Sequence, residues 1–220
     1  MHTKHLGHAA FVLAILAVAL LTGACGNDDD ESGESGNSND RAFLTAMVPH
    51  HESAIEMAKM ADEKAKHAEV RQLARAIIRA QTLEIAQLNR IHRRLFGEPL
   101  HPDPDAYAEL GLSAEHAGMG QMDMATLEHA APFDRMFIDQ MVAHHQGAIR
   151  MARVARAKSE DPELRELANG IIQAQAAEID EMNAWRKGWY GASSPSGGVP
   201  KSGGSGSMSG HMDTDMHEGP

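Results

Sequence analysis

Two histidine pairs, His50-His51 and His144-His145, are the residues best suited to chemistry, because each sits inside an otherwise apolar helical pattern. The first lies in Met47-Val48-Pro49-His50-His51-Glu52-Ser53-Ala54-Ile55-Glu56-Met57-Ala58. The second lies in Met141-Val142-Ala143-His144-His145-Gln146-Gly147-Ala148-Ile149-Arg150-Met151-Ala152. Neutral imidazole is the commonest protein ligand for transition metals, and an apolar helix face has little other use for it. Metal binding is therefore the first chemistry to consider. Phe43, Met47, His50, Ala54, Met57 and Ala61 recur at alternating steps of four and three, as do Phe137, Met141, His144, Ala148, Met151 and Ala155. That spacing puts His50 and His144 on inward seams of bundle helices, with His51 and His145 on flanking seams that border the same core.

The segments that follow carry seams of their own. Val70, Ala74, Ile77, Gln81, Glu84, Leu88 and Ile91 form one, and Leu164, Ala168, Ile171, Gln175, Glu178, Met182 and Trp185 the other. Each is apolar except for one Gln and one Glu, and a buried carboxylate must find a partner or stay protonated. A hairpin turning near residue 67 brings His50 level with Glu84 and Ala54 level with Gln81; one turning near residue 161 brings His144 level with Glu178. Two readings follow. In one, Glu84 and Glu178 hydrogen-bond the histidines in a polar layer that fixes helix register. In the other, they orient the histidines around a metal ion or bind it directly.

Ligand softness selects the ion. Imidazole with thioether from Met47 and Met141, and no thiolate, suits copper, Met favouring Cu(I) and His accepting either Cu(I) or Cu(II). Zinc is the alternative through His and Glu alone. A carboxylate-bridged di-iron site is disfavoured, since the Glu-x-x-His pairs of such bundles are missing. Met57 and Met151 read first as core filling and second as ligands. Two further groups lie in polar segments with no core to fill: His116, Met119, Met122 and Met124, and, after Met208, the run His211, Met212, Met216 and His217. These read as copper-collecting arms.

The elements that must position these residues are all helical. Aromatic content is only 4%, and Ala, Met, Glu and Arg are abundant, which favours helices over sheets. Apolar periodicity predicts helices over about 40–66, 69–96, 132–158 and 162–190, with a short helical piece near 125–129. Pro49 either kinks the first and frees the carbonyl of Thr45 or marks where the regular helix starts, and Ala143 at the equivalent place in the second copy is compatible with a continuous helix. A shift of about 94 positions aligns residues 40–97 on 134–191 without a gap, with about 25 of about 58 positions identical. Two repeated helical hairpins predict an all-α four-helix bundle over 40–191, joined by a Met/His-containing connection at 98–133.

The ends have other characters. Lys4 precedes an apolar run over 9–21, of signal-peptide length and short for a bilayer span. Thr22-Gly23-Ala24-Cys25 then resembles a bacterial lipobox, with Thr22 where an aliphatic residue is usual, so residues 1–25 read as a lipoprotein signal and Cys25 as the lipidated residue. Plain secretion is the alternative. Both expectations place the protein in the cell envelope or outside it. Cys25 is the one cysteine, so no intramolecular disulfide is expected. Residues 26–39 are expected to be a disordered acidic tether, and 192–220 a disordered Gly/Ser-rich tail with a Met/His tip. A formal charge of −11 argues against a nucleic-acid partner and for cations, and the sequence leaves homo-oligomerisation open.

The doubled His-His motif in its hydrophobic frame, with Gly118-Met119 ahead of the second copy, resembles the domain-of-unknown-function 305 family, which includes CopM-like copper-binding proteins. The resemblance covers about 40–191. It implies a ferritin-like four-helix bundle, extracytoplasmic location and copper binding and tolerance. The first copy has Glu52-Ser53 where the second has Gln146-Gly147, an expected source of unequal half-sites. The expected function is copper sequestration, tolerance or delivery. No nucleophile with a base at helical spacing marks a hydrolase. The rivals are a cuprous or ferrous oxidase using the same layer, which turnover would reveal, and a structural bundle without metal, which metal titration would reveal.

Overall fold

The computed structural model describes residues 35–120 and 123–201. Four long helices, α1 (Ser38–Lys64), α2 (Ala68–Phe96), α4 (Phe133–Lys158) and α5 (Pro162–Tyr190), are joined by a 3-10 turn at Ala106–Ala108 and a short helix α3 (Met124–Glu128). No strand occurs among the described residues. The expected helices stand within two residues of their predicted ends; α1 begins at Ser38 because Asn37 and Asp40 close a capping box, each backbone N–H bonded to the other's side chain at 3.0 Å. Asp161 caps α5 through Leu164 N at 2.8 Å with Pro162 in the first turn, and Gly97 and Gly191 end α2 and α5 at φ +71° and +85°.

Helices α1 and α2 form one hairpin, α4 and α5 the other, and the hairpins meet chiefly along α1 and α4. The core is two clusters. Phe43, Leu44, Met47, Leu88, Ile91 and Ile171 anchor one, and Phe137, Ile138, Met141, Ile77, Ile149 and Met182 the other. Fully burying a side chain of that size contributes about 1.5–3 kcal/mol.

Pro49 leaves α1 continuous. The carbonyl of Thr45, which proline cannot bond, accepts instead from Asp103 N at 3.0 Å, so the helix's one missing donor is replaced by the connection. Leu100, Ala106, Leu110 and Ala117 then sink into the first cluster and Leu127 of α3 into the second, which binds the connection onto the bundle.

Two boundary expectations are corrected. Disorder from residue 192 does not hold through 201: Gln146 Nε2 donates to Ser196 O and Gly198 O at 2.8 and 2.7 Å, Asn183 Nδ2 donates to Gly197 O at 2.8 Å, and Val199 packs on the second cluster. Glycine and serine are compatible with this strap because their backbone carbonyls, satisfied by side chains of α4 and α5, make its bonds. The acidic tether likewise stops short of 39: Ser35 N donates to Leu95 O at 3.0 Å, and a Cβ on Gly36 would lie 2.4 Å from the Phe96 ring.

Candidate metal centre

Each histidine pair sits mid-helix, where Ala, Ile and Met on either side keep the backbone bonded and the flanks apolar. All four imidazoles are buried, none more than 1% exposed. They form a row across the α1–α4 interface: His50 and His144 face each other with ring centroids 3.7 Å apart, and His51 and His145 lie 6.3 Å outward from their neighbours.

The expected pairing of His50 with Glu84, and of His144 with Glu178, is corrected by one residue. His51 Nε2 stands 2.8 Å from Glu84 Oε2, and His145 Nε2 donates to Glu178 Oε2 at 2.6 Å. The level rule allowed either member of a pair. The outer histidine of each faces its own hairpin partner, and the inner one crosses to the other hairpin. Both carboxylates keep 20% side-chain exposure and so link the buried row to solvent.

The inner pair is satisfied asymmetrically. Ser53 Oγ donates to His50 O at 2.7 Å and therefore accepts from His144 Nε2 at 2.8 Å. The residue equivalent to Ser53 is Gly147, and there Ala117 O accepts from His50 Nε2 at 3.0 Å. A Cβ on Gly147 would lie 2.0 Å from that carbonyl, and Gly118, at φ +76°, presses on the carbonyls of Ala143 and His144, so only glycine permits the approach. Ser53, Ala117 and Gly147 were not among the expected site residues. The signal for two of them is the small residue three positions after each inner histidine.

The Nε2 atoms of His50, His144 and His145 each meet an acceptor, which leaves the lone pair of a neutral ring on Nδ1. All four Nδ1 atoms are buried with no hydrogen-bond partner. His51 Nε2 is at ion-pair distance from Glu84 but off the line a hydrogen bond needs. Gln81 Oε1 and both amide atoms of Gln175 are also buried and unpartnered in the seam positions one turn from the glutamates. Burial, then the neighbouring His51 and His145, hold His50 well below the ordinary imidazole range; burial, then His50, does the same to His144. Neutral imidazoles that donate from one nitrogen to a carboxylate or carbonyl and offer the other are what a metal ion requires.

Met47 and Met141 lie one turn from His50 and His144 and are fully buried, as are Met57 and Met151. His116 is exposed and shares a hydrogen bond with Ser113, while Met119 and Met124 are half-buried against the first and second clusters. Among the described residues, no group of three or more His, Cys, Asp and Glu side chains is disposed to hold a metal ion. Cys25, Met122, Met208, His211, Met212, Met216 and His217 lie outside the described residues.

The fold and site define a class: a four-helix bundle of two antiparallel hairpins with a buried histidine row at their interface. The sequence profile of the domain of unknown function DUF305 matches residues 40–186 and again 134–219. The chain belongs to that family. Among solved structures it is similar to CopM in a Cu(I)-bound form, 39% identical with a TM-score of 0.59 over 69% of this chain and 97% of that one. CopM in a Cu(II)-bound form is 42% identical with a TM-score of 0.60 over the same shares. A DUF305 protein from Streptomyces coelicolor, 22% identical, shares the fold with a TM-score of 0.62 over 71% of this chain and 96% of its own. An uncharacterised protein, L153, of Acanthamoeba polyphaga mimivirus is 40% identical over 51 residues, 23% of this chain, so the match spans about a third of that relative's length.

Proposed function

We propose that this protein binds copper outside the cytoplasm, sequestering it or passing it on, with His50, His51, His144 and His145 as ligands. The observation that carries the reading is the set of four buried Nδ1 atoms with no partner. A layer that served only helix register would be satisfied, because each unpartnered buried polar atom costs about 1–3 kcal/mol. Here Ala117, Ser53 and Glu178 hold Nε2 of His50, His144 and His145, and Glu84 lies 2.8 Å from Nε2 of His51, while the Nδ1 side is left over. Glu84 and Glu178 orient the outer histidines, and Met47 and Met141 are the nearest thioethers along the helices. Copper fits an imidazole and thioether set better than zinc does, since zinc takes four ligands from Cys, His and carboxylate. The copper- and silver-bound forms of CopM support the same choice.

Titration of the purified chain with Cu(I) and Cu(II) tests this: the His50→Ala/His144→Ala variant is expected to lose the tightest equivalent, and an unchanged isotherm would sink the assignment. Export and anchoring through a lipidated Cys25 belong to the same proposal. Cys25→Ala is expected to release the protein from the membrane fraction, and retention there would rule the anchor out.

A further inference from the structure

Three methionines that the histidine row does not use pack on the second core cluster from three different helices. Met60 on α1, Met124 on α3 and Met136 on α4 are each half-buried against the second core cluster. Helix α3 is tied to both long helices: Lys64 Nζ donates to Glu128 O at 3.2 Å, and Gln140 Nε2 donates to Asp123 O at 3.3 Å. Met60, Met124 and Met136 stand four residues before Lys64, Glu128 and Gln140, one helical turn along the same faces. On α1 the stripe Ser53, Met57, Met60, Lys64 begins at the hydroxyl bonded to His144 and ends at the amine bonded to α3. On α4 the stripe Met136, Gln140, Ala143, Gly147 runs from the contact with Asp123 to the contact with Ala117. Met60 and Met136 therefore flank the groove that α3 covers, and Met124 shares the inward face of α3 with fully buried Leu127.

Core filling explains Met57, Met141 and Met182, which are fully enclosed. Met60, Met124 and Met136 pack on the core only in part and keep a share of their surface exposed, on three different helices. The repeat sharpens the point, because the positions equivalent to Met60 and Met136 are Val154 and Ala42, so sulfur appears where α3 lies and not at its counterparts. Thioether sulfur is uncharged and soft, is not protonated at ordinary pH, and selects Cu(I)-like monovalent ions over Zn(II) and hard cations.

We propose that Met60, Met124 and Met136 form a second soft-metal site, a three-thioether cradle for Cu(I) or Ag(I), distinct from the histidine row and standing whether or not that row binds copper. The test uses the full chain labelled with ¹³C at the methionine methyls, with resonances assigned by single Met→Leu variants, and silver(I) nitrate as the probe. The three methyl resonances are expected to move together and saturate at one equivalent, and to do so in the His50→Ala/His144→Ala variant as well. The Met60→Leu/Met124→Leu/Met136→Leu variant keeps side-chain volume and is expected to bind one Ag(I) fewer with melting unchanged. If any of the three resonances stays put while silver binds elsewhere, or the triple variant keeps full stoichiometry, the cradle is overturned.

Discussion

At the scale of single residues, the site is a problem of tautomers. Ser53 has one hydroxyl proton, given to His50 O, so it serves His144 only as an acceptor and fixes the proton on Nε2. Ser53→Ala is expected to lose about 1–2 kcal/mol by leaving that N–H unpartnered, read as a lower urea midpoint, and ¹⁵N shifts should report a mixed tautomer at His144. The buried rings also set a pH dependence. In the metal-free fold His50 and His144 stay neutral well below the ordinary value near 6.5, whereas in the unfolded chain they protonate there. Below about pH 6.5 the unfolded chain binds protons that the fold refuses, so stability falls as pH drops from there toward the depressed values. The slope is at most about 1.4 kcal/mol per pH unit for each histidine. Urea midpoints at pH 7, 6 and 5 check this, and a profile as flat as that of the His50→Ala/His144→Ala variant would contradict it.

At the scale of elements, the connection between hairpins is part of the site. Pro49 opens a carbonyl on α1 that Asp103 N fills, and Gly147 opens a gap on α4 through which Ala117 O reaches His50. Gly147→Ala drives a methyl into that carbonyl and is expected to destabilise by about 2 kcal/mol or more despite the better helix propensity of alanine. The accompanying sign is loss of the His50 Nε2–H bond in ¹⁵N spectra; a variant that melts like the parent would show that the approach is slack. Asp134 ties the same two hairpins at the far end, accepting from Lys66 N and His67 N at 2.8 Å each.

At the scale of the whole molecule, the strap at 192–201 belongs to the folded body. A chain ending at 191 loses the bonds to Gln146 and Asn183 and the cover Val199 gives the second cluster, and is expected to melt several degrees lower. A chain ending at 201 is expected to melt like the full chain while losing any copper held by the Met/His tip. Scanning calorimetry and metal analysis on the two truncations separate these outcomes. No helix among the described residues is long and apolar enough to cross a membrane.

The sequence by itself determined the helices, the hairpin pairing and the polar layer, because those follow from period, spacing and the identity of neighbours along the chain. His50, His144, Glu84 and Glu178 were all legible that way. It could not say which member of each pair meets its glutamate, because adjacent residues on a helix point about 100° apart and level alone does not choose between them. Only the tertiary packing decided that the inner histidines face each other across α1 and α4, that the outer ones lie against Glu84 and Glu178 of their own hairpins, and that Ala117 and Ser53 complete the row. Those are contacts between residues 33 to 94 positions apart, set by how the helices pack within and between the two hairpins.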